Sequence, residues 1–374
     1  GHAFQKGGIS MKRVAFLFVI LLLCAFTKEI EEMDIYYEGE KRQKSTFEPE
    51  QGILLGAFIK EDKQIESMEQ LEKMTNKHDI YGFTATLTEE FPMMDILECY
   101  VNQKIPLLVI QPSDRSNPFE TQHLEEAAKK ISQYRIPLLV DFYPNGEDYS
   151  NGEAYKKYYQ QAREVFRKNA PNTVFIWTMA IENIEKWKAY YPEDVDWIGL
   201  SIYENGGKQG ENIEQMLERW YAVFQKQKPL ILSQVAISHY SENGSKYTEK
   251  EASDEITRLY HSLQKYPAIK AVVYHSVNLT RQGGNAVKGE NYSIVENKRV
   301  LEAYQKIKTV HQDGTWYKSF WKAQQKNGIV FIPKNVVRQE LQADCEIVLL
   351  EGKEYVKNIV GYEVKQKQGN IFLY

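Results

Sequence analysis

Residues 136–179 read IPLLVDFYPNGEDYSNGEAYKKYYQQAREVFRKNAPNTVFIWTM. Two apolar runs of strand length, Ile136–Tyr143 and Thr173–Met179, enclose the segment Glu153–Asn169, in which apolar residues recur every three to four positions. That period is typical of an amphipathic helix, whereas the continuous apolar runs are typical of strands that are buried on both faces. The stretch therefore predicts a strand–helix–strand unit with parallel strands.

The same unit recurs along residues 51–308. Apolar runs of strand length lie at Gly52–Phe58, Ile80–Thr86, Ile105–Gln111, Ile136–Tyr143, Thr173–Met179, Val195–Tyr203, Pro229–Ile237 and Ile269–Asn278. Helical segments between and after them lie at Lys63–Lys77, Thr121–Tyr134, Glu153–Asn169, Asn212–Lys226, Lys250–Lys265 and Val295–Lys308. Eight such units in about 255 residues indicate an α/β fold of the (β/α)8 barrel (TIM barrel) class. A doubly wound open sheet is the weaker alternative, because no glycine-rich phosphate loop follows the first strand.

Composition narrows the functional classes. The chain has 374 residues with 47 basic and 51 acidic side chains, which gives a net charge of −4, and its Lys and Arg residues are scattered along the sequence rather than clustered in a stripe. We therefore do not expect it to bind nucleic acid. Its three cysteines include no CxxC pair and no histidine-rich companion, so we expect neither a disulfide framework nor a bound metal or other cofactor.

The amino-terminal 50 residues divide into three predicted segments. Residues 1–10 are interpreted as translated upstream sequence, with Met11 as the natural start. Residues 11–27 combine the charged Met11-Lys12-Arg13 with the apolar run Val14–Phe26 and predict a signal peptide. The protein is then secreted or held at the cell surface; an uncleaved anchor is the alternative, because no clear cleavage site follows. Residues 28–50 are rich in Glu and Lys and predict a charged linker.

Function in such a barrel lies at the carboxyl ends of the strands, where this chain places aromatic, amide and carboxylate side chains. Rings that stack on sugar faces and amides that bind hydroxyls are typical of a carbohydrate cleft. The candidate ligand-binding residues are Asp141, Tyr143, Asn145, Glu147, Trp177, Tyr203, Glu204, Gln234, Tyr274 and His275. Alternatively, Trp177 and Tyr203 only fill the top of the barrel, and His275 is a partly buried, hydrogen-bonded residue.

One stretch carries a family resemblance. Residues Tyr190–Tyr203 read YYPEDVDWIGLSIY and are similar to the YYPGD-x-VDWIGLS-x-Y stretch of glycoside hydrolase family 26, the β-mannanase-like retaining barrels. Thr173–Trp177 and Lys228–Ser233 resemble the family strands NVVWVW and KPVMISE. The resemblance covers Gly52 to Ile307 and implies a barrel that binds a polysaccharide or oligosaccharide.

The departures from that family concern its catalytic residues. In the family, a catalytic acid/base Glu ends the fourth strand and a nucleophilic Glu ends the seventh; this chain has Tyr143 and Gln234 there. A retaining mechanism needs two carboxyl groups about 5–5.5 Å apart, and an amide cannot replace the nucleophile. We therefore expect a catalytically degenerate barrel, a pseudoenzyme that binds a cell-surface or environmental polysaccharide.

The alternative is an active β-mannanase-type or β-glucanase-type hydrolase that uses non-family carboxylates, Asp141 and Glu147. Two-residue alternation predicts that Asp141 and Tyr143 point to the same side of their strand. On these residues alone, whether the chain is an enzyme stays open.

Residues 309–374 predict a small carboxyl-terminal α+β domain. Two similar units, Gly328–Val337 and Gly352–Val360, each predict a strand that enters a short helix, followed by a closing strand at Glu346–Leu350 or Ile371–Tyr374. The segment resembles the copper amine oxidase N-terminal-like stalk domain of exported Gram-positive proteins, which implies attachment to a cell wall or spore surface. No His or Cys cluster for copper is present in it. A structural cap on the barrel is the alternative.

Overall fold

A computed structural model describes residues 29–39, 42–205, 210–241, 246–280, 289–311 and 316–374. The predicted upstream segment 1–10 and signal peptide 11–27 lie outside the described residues. The chain forms two compact units. One comprises Gly39–Tyr317, and the other combines Lys318–Tyr374 with the described residues 29–38.

The elements follow one another in a regular order. The strands are β1 (Glu31–Glu38), β2 (Leu54–Phe58), β3 (Ile80–Thr86), β4 (Ile105–Gln111), β5 (Leu138–Phe142), β6 (Thr173–Ala180), β7 (Trp197–Asn205), β8 (Leu230–Ser238), β9 (Tyr240–Ser241), β10 (Lys246–Tyr247), β11 (Ile269–His275), β12 (Glu290–Asn291), β13 (Trp316–Lys326), β14 (Ile329–Pro333), β15 (Cys345–Leu350), β16 (Lys353–Ile359), β17 (Val364–Lys367) and β18 (Asn370–Leu373). The α-helices are α1 (Met68–Met74), α2 (Met93–Val101), α3 (Leu124–Ser132), α4 (Gly152–Asn169), α5 (Trp187–Tyr190), α6 (Ile213–Phe224), α7 (Glu249–Ser262) and α8 (Lys298–Gln305). Short 3-10 helices lie at Gly146–Asp148, Ile181–Lys186 and Leu263–Lys265, and a π-helical turn lies at Val336–Leu341.

The larger unit is a closed parallel barrel with the strand order β11-β2-β3-β4-β5-β6-β7-β8. Each of the eight predicted apolar runs contributes one of these strands, and helices lie between successive strands. The predicted (β/α)8 barrel is therefore confirmed. A small three-stranded sheet, β10-β9-β12, lies beyond the carboxyl ends of β8 and β11.

Helix starts are fixed by side chains that the sequence places just before each helix. Asn151 accepts a hydrogen bond from the Ala154 amide at the start of α4. Asn212 and Gln215 form a reciprocal capping box at the start of α6. Such caps satisfy amide groups that the first helical turn leaves without partners, and each stabilises the helix by about 1 kcal/mol.

Apolar side chains fill the amino-terminal half of the barrel interior. The buried cluster includes Leu107, Leu139, Ile176, Trp197, Ile231 and Val273, one or more from each of several strands. Phe47 packs against this cluster, and the Trp197 indole donates to the Thr46 carbonyl at 3.2 Å. Residues 46 and 47 therefore cover the amino-terminal end of the barrel.

The predicted charged linker over residues 28–50 is corrected by two observations. Residues 46 and 47 belong to the barrel, as described above, and Glu31–Glu38 forms strand β1. This strand pairs in parallel with β18, with Ile35 opposite Ile371, and buries Ile35, Tyr36 and Tyr37. Composition misled the prediction because charged residues on both sides hide a short apolar strand whose partner lies at the far end of the chain.

The smaller unit is a seven-stranded sheet in the order β15-β16-β14-β13-β1-β18-β17. The first predicted carboxyl-terminal unit is confirmed, because β14 leads into the helical turn Val336–Leu341. The second is wrong: β16 leads into a turn in which Gly361 has φ +85°, and the chain continues into the β17–β18 hairpin. Both proposed closing segments are strands.

None of the described helices combines the length and the apolar character that crossing a bilayer requires.

Strand β1 gives the first prediction. We expect a chain that begins at Gly39 to lose protease resistance in residues 318–374, because β13 and β18 lose the strand between them together with buried Ile35. The measurement is limited proteolysis with mass-spectrometric mapping, and a chain that begins at Glu29 is the control. Equal protection of residues 318–374 in both chains would contradict the pairing.

Candidate functional site

Three predicted residues from different strands meet at the carboxyl end of the barrel. Tyr203 of β7 places its hydroxyl 3.0 Å from Gln234 Oε1 and 2.6 Å from His275 Nδ1. Gln234 is the one partly exposed residue of β8, and His275 ends β11. We call Tyr203, Gln234 and His275 the mouth cluster.

A β-bulge places Gln234 in the mouth cluster. The pairing of β7 with β8 shifts between Leu200 and Ser201, so that Leu200 lies opposite Leu232 and Ser201 opposite Gln234. The extra residue, Ser233, bonds Thr178 inside the barrel, and the next residue, Gln234, reaches Tyr203. Bulges redirect side chains in this way beside functional sites.

Glu61, which the sequence analysis did not select, joins the mouth cluster from the loop after β2. Its Oε2 atom lies 3.6 Å from His275 Nε2, and the neighbouring imidazole lowers the pKa of the Glu61 carboxyl. Phe58 packs against the His275 ring with 5.5 Å between centroids. The sequence signal that could have identified Glu61 is its position three residues after the end of a barrel strand.

Burial raises the pKa of the Tyr203 phenol, with a further contribution from Tyr292. Tyr292 packs edge-on against Tyr203 at 5.5 Å. Tyr203 is therefore a neutral hydroxyl at neutral pH, able to donate one hydrogen bond.

Tyr143, which occupies the resemblance's acid/base position, is not at the mouth. Its backbone is left-handed, with φ +47°, and its ring stacks on the preceding Phe142 at 4.6 Å. The side chain is fully buried, and its hydroxyl donates to the Pro118 carbonyl at 2.6 Å. The alternation that would align Tyr143 with Asp141 is therefore broken, and desolvation raises the pKa of the Tyr143 phenol to about 12.

Trp177 and Tyr274 are also wrongly predicted as ligand-binding residues, because both lie on strand faces that pack against helices. Trp177 contacts Phe224 of α6, and Tyr274 contacts Tyr304 of α8. The Tyr274 hydroxyl is bonded to the backbone of Ile237. Neither side chain is more than 1% exposed.

Glu204 follows Tyr203 on β7 and therefore lies on the opposite side of the strand. Burial raises the pKa of the Glu204 carboxyl to about 7, and the positive charge of Arg258 on α7 opposes this rise. The Glu204 carboxylate therefore belongs to the helix side of the barrel wall, not to the mouth cluster.

Asn145 and Glu147 connect the loops after β5 and β6. The backbone N–H of Asn145 donates to the Thr178 carbonyl at 3.0 Å. The Glu147 carboxylate accepts from the Ala180 N–H at 2.9 Å and from Asn183 at 3.3 Å. Burial raises the pKa of the Glu147 carboxyl, and both residues hold the loops together.

Asp141 lies in the barrel interior, fully buried. The Thr178 hydroxyl favours its ionised form, yet among the described residues neither carboxylate oxygen has a partner at hydrogen-bond geometry. Desolvation dominates and raises the pKa of Asp141 to about 7. We call Asp141, Thr178 and Ser233 the polar floor.

Glycine makes the polar floor possible. The Thr178 and Ser233 hydroxyls are 2.8 Å apart although β7 separates their strands. A Cβ on Gly199 of β7 would lie 2.2 Å from Thr178 Oγ1 and 2.9 Å from Ser233 Oγ. Any larger residue at position 199 would displace these hydroxyls.

Within the described ranges, no three His, Cys, Asp or Glu side chains come together in a way that could hold a metal ion.

Comparison with known proteins finds similarity among solved structures. Neither family models nor curated proteins match the chain. A β-glucuronidase from Bacteroides uniformis matches with a TM-score of 0.50 and 12% identity over 68% of this chain and 34% of that enzyme. The chain shares the (β/α)8 barrel fold with this solved structure.

Two smaller enzymes match over nearly their whole length. Thermotoga maritima Cel5A, solved with mannotriose, has a TM-score of 0.49 and 10% identity over 67% of this chain and 97% of its own. A GH113 β-1,4-mannanase has a TM-score of 0.46 and 12% identity over 68% of this chain and 98% of its own. At these identities the likeness is one of fold.

The polar floor gives a prediction about pH and stability. The pKa of Asp141 rises from 3.8 to about 7 on folding, so the native state holds a proton that the unfolded state releases between these values. Stability therefore falls as pH rises from 4 to 7, by on the order of 4 kcal/mol. Asp141→Asn removes this dependence and unfolds at higher denaturant concentration than the wild type at pH 7.

The control for that measurement is Glu164→Gln, which alters an exposed acid on α4. Denaturant unfolding at several pH values should give parallel profiles for the wild type and Glu164→Gln. A profile of Asp141→Asn parallel to the wild type would show that Asp141 titrates alike in both states.

Proposed function

We propose that the barrel binds a polysaccharide or oligosaccharide at the carboxyl end of its strands without cleaving it. The observation that carries the proposal is the mouth cluster, in which an amide, a phenol and an imidazole meet where a retaining enzyme needs a nucleophilic carboxylate. Amide and hydroxyl groups of this kind bind sugar hydroxyls, and Tyr292 adds an aromatic edge.

The geometry of β5 supports the absence of retaining hydrolysis. Such enzymes need a carboxyl pair about 5–5.5 Å apart. Gln234 supplies no carboxylate, and Tyr143 is turned away from the barrel interior, with its hydroxyl bonded to Pro118. Both halves of the family machinery are therefore missing from the proposed site.

Hydrolysis by Asp141 and Glu147 is less well supported than binding. Asp141 is fully buried below the mouth, and Glu147 uses its carboxylate to hold Ala180 and Asn183. A substrate would have to break these hydrogen bonds to use the Glu147 carboxylate. Both side chains serve the barrel structure in this proposal.

The proposed ligand class rests on the family 26 resemblance of Tyr190–Tyr203 together with the residues of the mouth cluster. The solved glycoside hydrolases that share the fold include proteins named as mannanase, xylanase and β-glucuronidase. Their likeness supports the barrel, and the choice among sugars is left to binding measurements.

We also propose that the protein is exported and acts at a Gram-positive cell surface. The apolar run Val14–Phe26 after Lys12-Arg13 supports export, and the resemblance of the last 64 residues to a stalk domain supports attachment. In this proposal the seven-stranded sheet holds the barrel at a cell wall or spore surface, and the barrel binds polysaccharide there.

A retention assay tests the proposed function. The chain from Glu29 is passed over immobilised β-mannan, mixed-linkage glucan, xylan and Gram-positive wall polysaccharide, and reducing ends are measured in parallel. We expect retention on at least one polymer without release of reducing ends. Gln234→Met should weaken retention about tenfold, because one hydrogen bond to the ligand is lost.

The matched control is Gln161→Met, which removes an exposed amide from α4 and should bind like the wild type. Retention on none of the polymers would contradict the proposal. So would release of reducing ends, and loss of that release in Asp141→Asn would favour the hydrolase alternative.

Restoring the family carboxylates should not restore hydrolysis. In the double variant Tyr143→Glu with Gln234→Glu, the residue at 143 remains in the buried, left-handed position beside Phe142. We expect no cleavage of aryl β-glycosides by the double variant or by Gln234→Glu alone. Cleavage by the double variant only would show that position 143 can reach the mouth.

A further inference from the structure

The Tyr203 hydroxyl has two hydrogen-bonding partners and one proton to donate. Gln234 Oε1, at 3.0 Å, is an acceptor only, so Tyr203 donates to it in this structure. His275 Nδ1, at 2.6 Å, must then carry a proton and donate to the Tyr203 oxygen. The described arrangement therefore requires an N–H group at Nδ1.

Glu61 acts on the other nitrogen of the same ring. Its carboxylate oxygen lies 3.6 Å from His275 Nε2, and an ionised carboxylate there favours an N–H group at Nε2. A protonated imidazole has N–H groups at both nitrogens and satisfies both neighbours. A neutral imidazole has one, so Glu61 and Tyr203 compete for its position.

The neutral ring reverses the chain of hydrogen bonds. With the N–H group at Nε2, Nδ1 becomes an acceptor and takes the Tyr203 proton. Gln234 Oε1 would then face an oxygen with no proton to offer. Rotation of the amide by half a turn replaces Oε1 with the NH2 group, which donates to the Tyr203 oxygen.

We infer that the protonation state of His275 determines which half of the Gln234 amide the barrel offers to a ligand. Protonated His275 leaves the NH2 group of Gln234 available as a donor. Neutral His275 with its N–H group at Nε2, toward Glu61, leaves the Gln234 carbonyl available as an acceptor. His275 is thus a positioning residue that sets specificity, and for its ligand this inference rests on the proposed saccharide binding.

The groups that face His275 and Tyr203 come from several elements. Glu61 approaches His275 from the loop after β2, and Phe58 of β2 packs against its ring. Tyr292, after β12, packs against Tyr203. Asp62, next to Glu61, accepts hydrogen bonds from Ser276 and Ser293 instead. Glu61 is therefore the carboxylate that acts on His275.

The test observes His275 and Gln234, the two residues that Tyr203 joins by hydrogen bonds, in the full protein without a ligand. Protein labelled with ¹⁵N in histidine and glutamine side chains is followed by NMR between about pH 5 and 8, the range in which histidines titrate. His275→Gln and Gln234→Met identify the two sets of resonances. We expect the Gln234 side-chain amide resonances to shift with the same midpoint as the His275 ring nitrogens.

The variant Tyr203→Phe distinguishes an effect transmitted through the Tyr203 hydroxyl from a general effect of pH. This conservative change removes the hydroxyl that joins the two residues, so the Gln234 resonances should lose their dependence on His275. His261→Gln, which alters an exposed histidine on α7, should leave the wild-type profile. Gln234 resonances that ignore His275, or that follow it equally in Tyr203→Phe, would overturn the inference.

A second arm uses the polymer retained in the binding assay. Its retention should change with pH in the wild type and lose that dependence in Tyr203→Phe; an unchanged dependence would overturn the link to specificity. If no polymer is retained, the proposed function fails. The resonances of the free protein still show whether the protonation of His275 determines the orientation of the Gln234 amide.

Discussion

Burial of both faces of every barrel strand is the constraint on which the rest of the larger unit depends. Successive side chains of a strand point to opposite faces, so in this closed barrel they alternate between the interior and the helix layer. On β6, Ile176 and Thr178 lie inside, whereas Trp177 packs against α6. A residue reaches the mouth only if it lies near a strand end and also faces inward.

The mouth of the barrel is shaped by one strand that keeps this alternation and by two others in which it is interrupted. Tyr203 obeys it and points inward. The bulge in β8 adds a residue, so that Ser233 and Gln234 both turn inward. At the end of β5 the left-handed backbone of Tyr143 turns its ring outward onto Phe142. One interruption supplies the amide of the mouth cluster, and the other turns Tyr143 away from it.

Sequence reasoning succeeded where the determining pattern is local. Apolar runs and helical periods lie within a few residues of one another, so the eight barrel strands could be predicted, as could the strand ends that contain Tyr203, Gln234 and His275. It failed where long-range pairing or a single backbone angle decides. Strand β1 exists because Ile35 finds Ile371 across the whole chain, and neither the turn of Tyr143 nor the bulge beside Ser233 has a signal in composition.

The apolar half of the barrel interior also explains how the barrel can contain the polar floor, whose burial is energetically unfavourable. A buried carboxyl without hydrogen-bond partners, such as that of Asp141, costs free energy. Leu139, Ile176 and Ile231 lie one inward position earlier on the same strands as Asp141, Thr178 and Ser233. The apolar half therefore offsets the cost of the floor, on which the mouth cluster of Tyr203, Gln234 and His275 lies.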